Sequence, residues 1–293
     1  MSSLAAFHHP PPGANATVTS EQETWPARLS LCFDTDPTAN GKTRLISRHQ
    51  GPLRIQKALY PEGGTPCHAI IVHPPGGIAG GDRLDLDINC LVGSGALITT
   101  PGATKWYGSS GSQATQSIHM RVAGALEWMP QEAIIFDHAD IASTWKVAVE
   151  ATGRFFGWDI FVFGRKASGE SFRNGRLRQL LEIELDEQLV WSDRLHLRGA
   201  DALFNSPIGL RGHHAMATCW AVSSASSPWS ETDVHDLRHA NPGVAWTMLH
   251  TRLLVGRALG SPTFLRAQLL AGWSQLRPRL FDRSAISPRI WAT

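Results

Sequence analysis

Cysteine is scarce: Cys32, Cys67, Cys90 and Cys219 are the only four in 293 residues. None forms a C-x-x-C pair and no H-E-x-x-H is present, so neither structural zinc nor a zinc protease has a basis in the sequence. Each thiol sits in or beside an apolar run, where it behaves as a small hydrophobe. That pattern fits a reducing, cytoplasmic setting. No apolar stretch approaches the roughly 20 residues that span a bilayer. Leu4–Phe7 is too short for a signal-peptide core and no basic segment precedes it, so neither secretion nor membrane insertion is expected. Charge is also sparse, at 18% of residues with a net of +2, which argues against nucleic acid as a partner. One region leans basic. From Ser261 onward Arg266, Arg277, Arg279, Arg283 and Arg289 face only Asp282, as solvated surface or as a face for an acidic protein.

Hydrophobic residues make up 42% of the chain, enough for a sizeable core. Residues 1–25 carry His8, His9 and three consecutive prolines without periodicity, and read as a disordered tail ahead of one β-rich domain over 26–293. Leu29, Leu31 and Phe33 alternate with Ser30 and Cys32 as a half-buried strand. Asn40-Gly41 offers a tight turn, and Thr43–Ser47 returns. Leu84, Leu86 and Ile88 alternate with acids and Asn89. Ala96–Thr100, Leu126–Met129, Ala133–Phe136, Phe155–Phe163 and Leu189–Leu197 are further strands. Gly95, Gly124 and Gly153 each open a strand at a spacing of 29, and Pro101 and Pro130 each follow their glycine by six residues. A fixed period with a turn glycine points to stacked strands or hairpins, a solenoid-like fold. Helices come late. Ser230 and Asp233 form a capping box for a helix over Glu231–His239, ended at Asn241-Pro242. Val244–Leu259 reads as two strands around Thr251. Ser261-Pro262 starts a second helix that Pro278 should end near Arg277. Ile290 and Trp291 are expected to pack back.

Most catalytic motifs fail on inspection. Gly41-Lys42-Thr43 resembles the end of a P-loop, but Asp36 stands where the first glycine is required. Gly108–Ser112 approaches G-x-S-x-G but ends in serine and lacks the strand–turn–helix setting. Glu231, His235 and His239 are spaced by four and could share a helix face as metal ligands, although surface helices often carry polar residues at that spacing. His213-His214 is weaker. The most unusual segment is His73–Asp82, with two prolines and four glycines, either a tight connection or a rigid loop presenting Asp82. Glu127, Gln131, Glu132, Asp137, Asp159 and Glu170 lie in or next to apolar runs. A buried carboxylate needs a partner, and Arg154, Arg165, Arg173 and Arg194 are available. Structural ion pairs are the plainer account; as a group, such acids would also suit a divalent cation in transit.

Together these segments resemble the urease accessory protein D family (UreD, also called UreH). The resemblance is carried by Gly51–Lys57, Tyr60-Pro61-Glu62, Cys67-His68 and the His73–Asp82 loop. It continues through Thr99–Lys105, Leu126–Glu132, Gly157-Trp158-Asp159, Gly164-Arg165, Ser168-Gly169-Glu170 and the terminal Pro288–Thr293. It implies a β-rich fold with about two helices in the C-terminal third. It further implies a non-catalytic scaffold that helps insert nickel into apo-urease, in a complex with accessory proteins UreF and UreG. UreG is the GTPase and UreE the usual nickel donor. No tightly bound cofactor is implied, only transient Ni2+. By position, Asp82, Thr99, Thr100, Lys105, Gln131, Glu132, Asp137 and Glu170 match polar motif sites and are candidates for lining a passage or an interface. Trp106 replaces a commoner tyrosine or phenylalanine, and the N-terminal tail has no family counterpart. The alternatives are an assembly clamp that opens urease without conducting nickel, and an enzyme built on the buried acids.

Overall fold

The computed structural model describes residues 26–36, 38 and 41–292. The tail over 1–25 and Asn40 of the expected turn lie outside them. Gly41, beside that turn, has φ 75°.

The chain opens with β1 (Pro26–Thr35), β2 (Thr43–Gln50), β3 (Arg54–Leu59) and β4 (Cys67–Val72), then winds through β5 (Arg83–Cys90), β6 (Gly95–Thr99), β7 (Thr104–Trp106) and β8 (Ala114–Val122). It continues through β9 (Ala125–Trp128), β10 (Ala133–Ile135), β11 (Asp140–Val149), β12 (Arg154–Phe163), β13 (Arg176–Leu185) and β14 (Gln188–Arg198). The last part holds β15 (Ala215–Val222), α1 (Glu231–Ala240), β16 (Ala245–His250), β17 (Leu253–Gly260) and α2 (Pro262–Phe281).

Between β4 and β13 the chain passes back and forth between two sheets. The outer, seven-stranded sheet runs β14-β13-β11-β8-β5-β1-β2, and the central sheet runs β16-β17-β15-β12-β9-β6-β4-β3 with β7 and β10 beside it. From β4 to β13 same-sheet neighbours are parallel, so the chain coils, one rung stacking on the next. The 29-residue period is that rung: Leu126 lies beside Phe155 in the parallel ladder. Its glycines sit at corners where rungs touch. A Cβ on Gly124 would collide with the carbonyl oxygens of Leu91 and Ser94, and one on Gly153 with that of Val122.

The outer sheet shows one face to water, and β5 accordingly alternates buried and wetter residues. The central sheet is covered on both faces, so β12 is buried at all but its first residue. One core fills the space between the sheets. A second lies between the central sheet and the two helices, around Trp158, Trp273 and Leu269.

The two late helices, the capping box and the strands on either side of Thr251 form as the sequence implies. Pro278 does not end α2, which runs on to Phe281 and stops at Asp282 in the left-handed region at φ 58°. Proline removes one backbone hydrogen bond there, but the extra turn buries Leu280 and Phe281 at 1% and 4% exposure. Strands β3, β4, β7, β8, β11, β13 and β15 add to those expected. In β8 and β13, polar residues at inward positions break the apolar alternation. No helix among the described residues is long and apolar enough to cross a membrane.

Candidate functional site

The buried acids separate into two kinds of environment. Under α2, Arg277 is fully buried and holds two carboxylates at once. Its guanidinium donates to Glu127 at 2.9 Å through Nε and through one terminal nitrogen, and to Glu62 at 2.8 Å through both terminal nitrogens. Trp273 Nε1 donates to Glu127 at 2.6 Å, and His68 Nε2 lies 2.7 Å from Glu62. Burial alone would raise the Glu62 pKa, but the bonds to His68 and Arg277 outweigh it and hold the carboxyl at about 2. The partner of Glu127 is thus Arg277, not one of the four arginines favoured from sequence. The fork shape of guanidinium makes this possible, since every carboxylate oxygen meets a donor.

Asp159 has no such shell. On β12 its side chain enters the space between the sheets, where Gln179 Nε2 donates to it at 2.7 Å. It is 7% exposed, and burial pushes its pKa up to about 6 despite that bond. Gln179 belongs to a row. In register across the outer sheet, Gln116 on β8, Ser143 on β11 and Gln179 on β13 point inward side by side. Ser143 Oγ lies 3.3 Å from Gln116 Oε1 and accepts from Trp145 Nε1 at 3.0 Å. A polar seam therefore crosses an otherwise apolar interior and ends on a carboxylate.

The seam joins two cavities. The first, of about 230 Å³, is entered between the His73–Gly77 turn and the Thr100–Thr104 and Pro130–Gln131 segments, and reaches Gln116, Ser143, Asp159 and Gln179. The second, of about 830 Å³, opens beneath the 203–213 loop and the start of β16, and has Asp193, Arg257 and His213 in its wall. Asp159, Phe161 and Gln179 line both. Trp128 beside the first and Trp220 beside the second each carry a buried indole N–H with no acceptor from the protein.

Prolines make the first entrance. Proline cannot donate to a ladder. Pro101 separates β6 from β7, and Pro130 separates β9 from β10, at matching points of two rungs. In the third rung the corresponding place, six residues after Gly153, is Asp159, and β12 runs through unbroken. Two stacked breaks thus open the central sheet beside an acid.

Of the eight residues carried over from sequence, Thr100 and Gln131 line the first cavity and meet: Thr100 Oγ1 accepts from the Gln131 N–H at 3.0 Å. Thr99 is buried behind them, donates to the Met129 carbonyl at 2.6 Å and accepts from Trp291 Nε1 at 2.9 Å, which ties the C-terminus down. Glu132 lies 4.0 Å from Arg266. Asp137 and Glu170 come together at another loop. Glu170 accepts from the Asp137 N–H at 3.3 Å and pairs with Arg165 at 2.6 Å, while Asp137 accepts from the backbone of Arg173 and Asn174 at 2.9 and 2.7 Å. Asp82 accepts from the Ala79 N–H at 2.8 Å inside its own loop, and the Lys105 side chain is exposed. Of the unusual loop, His73, Gly76, Gly77 and Ile78 line the cavity, and His73 is the titratable one among them. Burial lowers its pKa, against the opposing pull of Asp82, which favours the neutral imidazole that can ligate a metal. His235 and His239 lie on the solvent face of α1, and among the described residues no three metal-ligating side chains converge. Gln116, Ser143 and Gln179 escaped the sequence reading; their one signal is an amide or hydroxyl at an inward strand position.

The fold and its seam define a class: a two-sheet β-coil with a polar seam between its sheets. The chain matches the family model described as UreD urease accessory protein over residues 26–292. It is 43% identical over 273 residues to the urease accessory protein UreD of Pseudomonas fluorescens (strain Pf0-1), covering 92% of this chain and 96% of that one. Its identity is 40% over 275 residues to UreD of Pseudomonas paraeruginosa (strain DSM 24068 / PA7), covering 92% and 95%, and 41% over 276 residues to UreD of Janthinobacterium sp. (strain Marseille), covering 91% of each. The chain belongs to the UreD family.

Proposed function

We propose that this chain is a non-catalytic urease accessory protein that passes Ni2+ through the seam between its two sheets, in a complex with UreF and UreG on apo-urease, with UreE as donor. It works in the cytoplasm, in keeping with its four free cysteines. The observation that carries the reading is that Asp159 and Gln179 form a wall common to two cavities that open at different places. Asp159 is ionised above pH 6 and lies where the first cavity, whose lining apart from His73 is otherwise uncharged, meets the second. One carboxylate with amide and hydroxyl oxygens holds a divalent cation through few ligands, so the ion keeps part of its water and leaves again. His73 adds an imidazole at the first entrance. UreG, as the GTPase, supplies the energy.

The test is Asp159→Asn in a reconstitution with UreF, UreG and apo-urease. Complex formation should persist while nickel incorporation falls by roughly tenfold or more, as expected when a charge is removed from a narrow site. Full incorporation with the variant would point instead to a clamp that opens urease without conducting metal.

A further inference from the structure

The rim of the second cavity carries the most exposed large apolar side chain among the described residues. Ile208 is 94% exposed and Leu203, on the same loop, is 40% exposed. The loop is held firmly. Leu210 is buried in the inter-sheet core, Phe204 packs edge-on against Phe163 with ring centroids 5.2 Å apart, and the Leu210 N–H donates to the Leu203 carbonyl at 2.8 Å. Gly209 passes so close to the Leu203 carbonyl that a Cβ would collide with it. Ile208 and Leu203 are thus presented together on a frame that is already ordered, so covering them would cost little entropy.

Basic side chains outnumber acidic ones at this rim, with Arg194, Arg211 and Arg257 against Asp193 and Asp201. Asp193 is taken up by Arg257, and Asp201 accepts from the Leu203 N–H. Arg194 and Arg211 also border the cavity, and no ionic partner for either occurs among the described residues. These two charges oppose a divalent cation leaving by this mouth.

We infer that the face around Ile208 is the docking surface for a protein partner that offers an apolar pocket edged with acidic side chains. The pocket receives Ile208 and the acids cover Arg194 and Arg211, so docking seals the mouth and removes the barrier to the cation. Charge complementarity and continuity with the second cavity select this occupant over a second copy of the chain, whose matching face carries the same basic charge. The inference rests on the proposed passage for its purpose, but its surface can be tested alone.

The experiment uses the full chain with UreF, UreG and apo-urease. Three variants are compared: Ile208→Asp, Arg194→Glu/Arg211→Glu, and Leu249→Asp as an exposed apolar control on β16. Far-UV circular dichroism and melting check that each folds. Ile208→Asp and the double variant should each weaken one partner's binding by roughly tenfold or more, as for a central contact or a reversed charge pair, with Leu249→Asp unchanged. The wild-type complex should weaken with salt and that of the double variant should not. Unaltered binding by Ile208→Asp overturns the surface, as does a wild-type homodimer that Ile208→Asp converts to monomer. If binding is lost as expected but Asp159→Asn loads nickel fully, the surface stands and the passage falls.

Discussion

The two spaces on either side of the central sheet surround their buried carboxylates differently. Beneath α2, Arg277, Glu127, Glu62, Trp273 and His68 satisfy one another; the Glu62 carboxyl is driven down to about 2, while burial still raises Glu127 against the pull of Arg277 and Trp273. Between the sheets, Asp159 keeps one side-chain donor, borders two cavities and is driven up to about 6. A saturated network holds structure in place. An undersatisfied acid at a cavity wall has free lone pairs for something that passes. Burial raises Glu127 as well as Asp159, so what sets Asp159 apart is its place on the wall of two cavities with a single side-chain donor.

The largest test of this contrast is Arg277→Met. It strands two carboxylates in a dry core and should cost about 3–5 kcal/mol, read as a lower urea midpoint. Replacing Arg277, Glu127 and Glu62 together by apolar residues should recover most of that loss; failure to recover would mean that packing, not charge, dominates.

Asp159→Asn should change stability with the opposite sign. Asp159 takes up its proton more readily when folded than unfolded, because its pKa rises from the ordinary 3.8 to about 6. Its ionisation therefore destabilises the fold above pH 6, and the penalty fades as pH falls from about 6 to below 4. The variant should be more stable than wild type by about 3 kcal/mol at pH 8, with the two converging by pH 4. Glu62 behaves inversely: its stabilisation is complete above about pH 4.5 and is lost as pH falls toward 2. Acid titration of each variant against wild type, by denaturation midpoint, separates the two regions.

Gln179→Leu should be milder. It removes the one side-chain donor to Asp159, costs about 1–3 kcal/mol at pH 8 and raises the Asp159 pKa further, which NMR titration would detect. The smallest effect is expected from Glu170→Ala. Its bond to Arg165 lies at the surface and is screened by water, so a midpoint shift near zero, beside a large one for Arg277→Met, would complete the series.

Much of the architecture was legible before any coordinates. The glycine period at 95, 124 and 153 is a steric requirement of stacked rungs, and steric requirements recur along the chain. The same period led to Pro101 and Pro130. Continued one step, it lands on Asp159, so the place of the acid was written in the repeat although its role was not. Thr100 and Gln131 came from the family resemblance and do border the cavity. Gln116, Ser143 and Gln179 stayed hidden because each is one polar residue in an apolar strand, and only the lateral register of the sheet makes them a row.

Local chemistry decided the strands' alternation, the capping of both helices and the corners that only glycine fits, because each depends on neighbours a few residues away. Pro278 shows where that reach ends: local preference would stop α2 there, and the burial of Leu280 and Phe281 carried the helix past it. Which carboxylate met an arginine and which met a cavity was a matter of tertiary structure alone. Arg277 lies 150 residues from Glu127 in the chain, and no local preference can specify a contact at that distance.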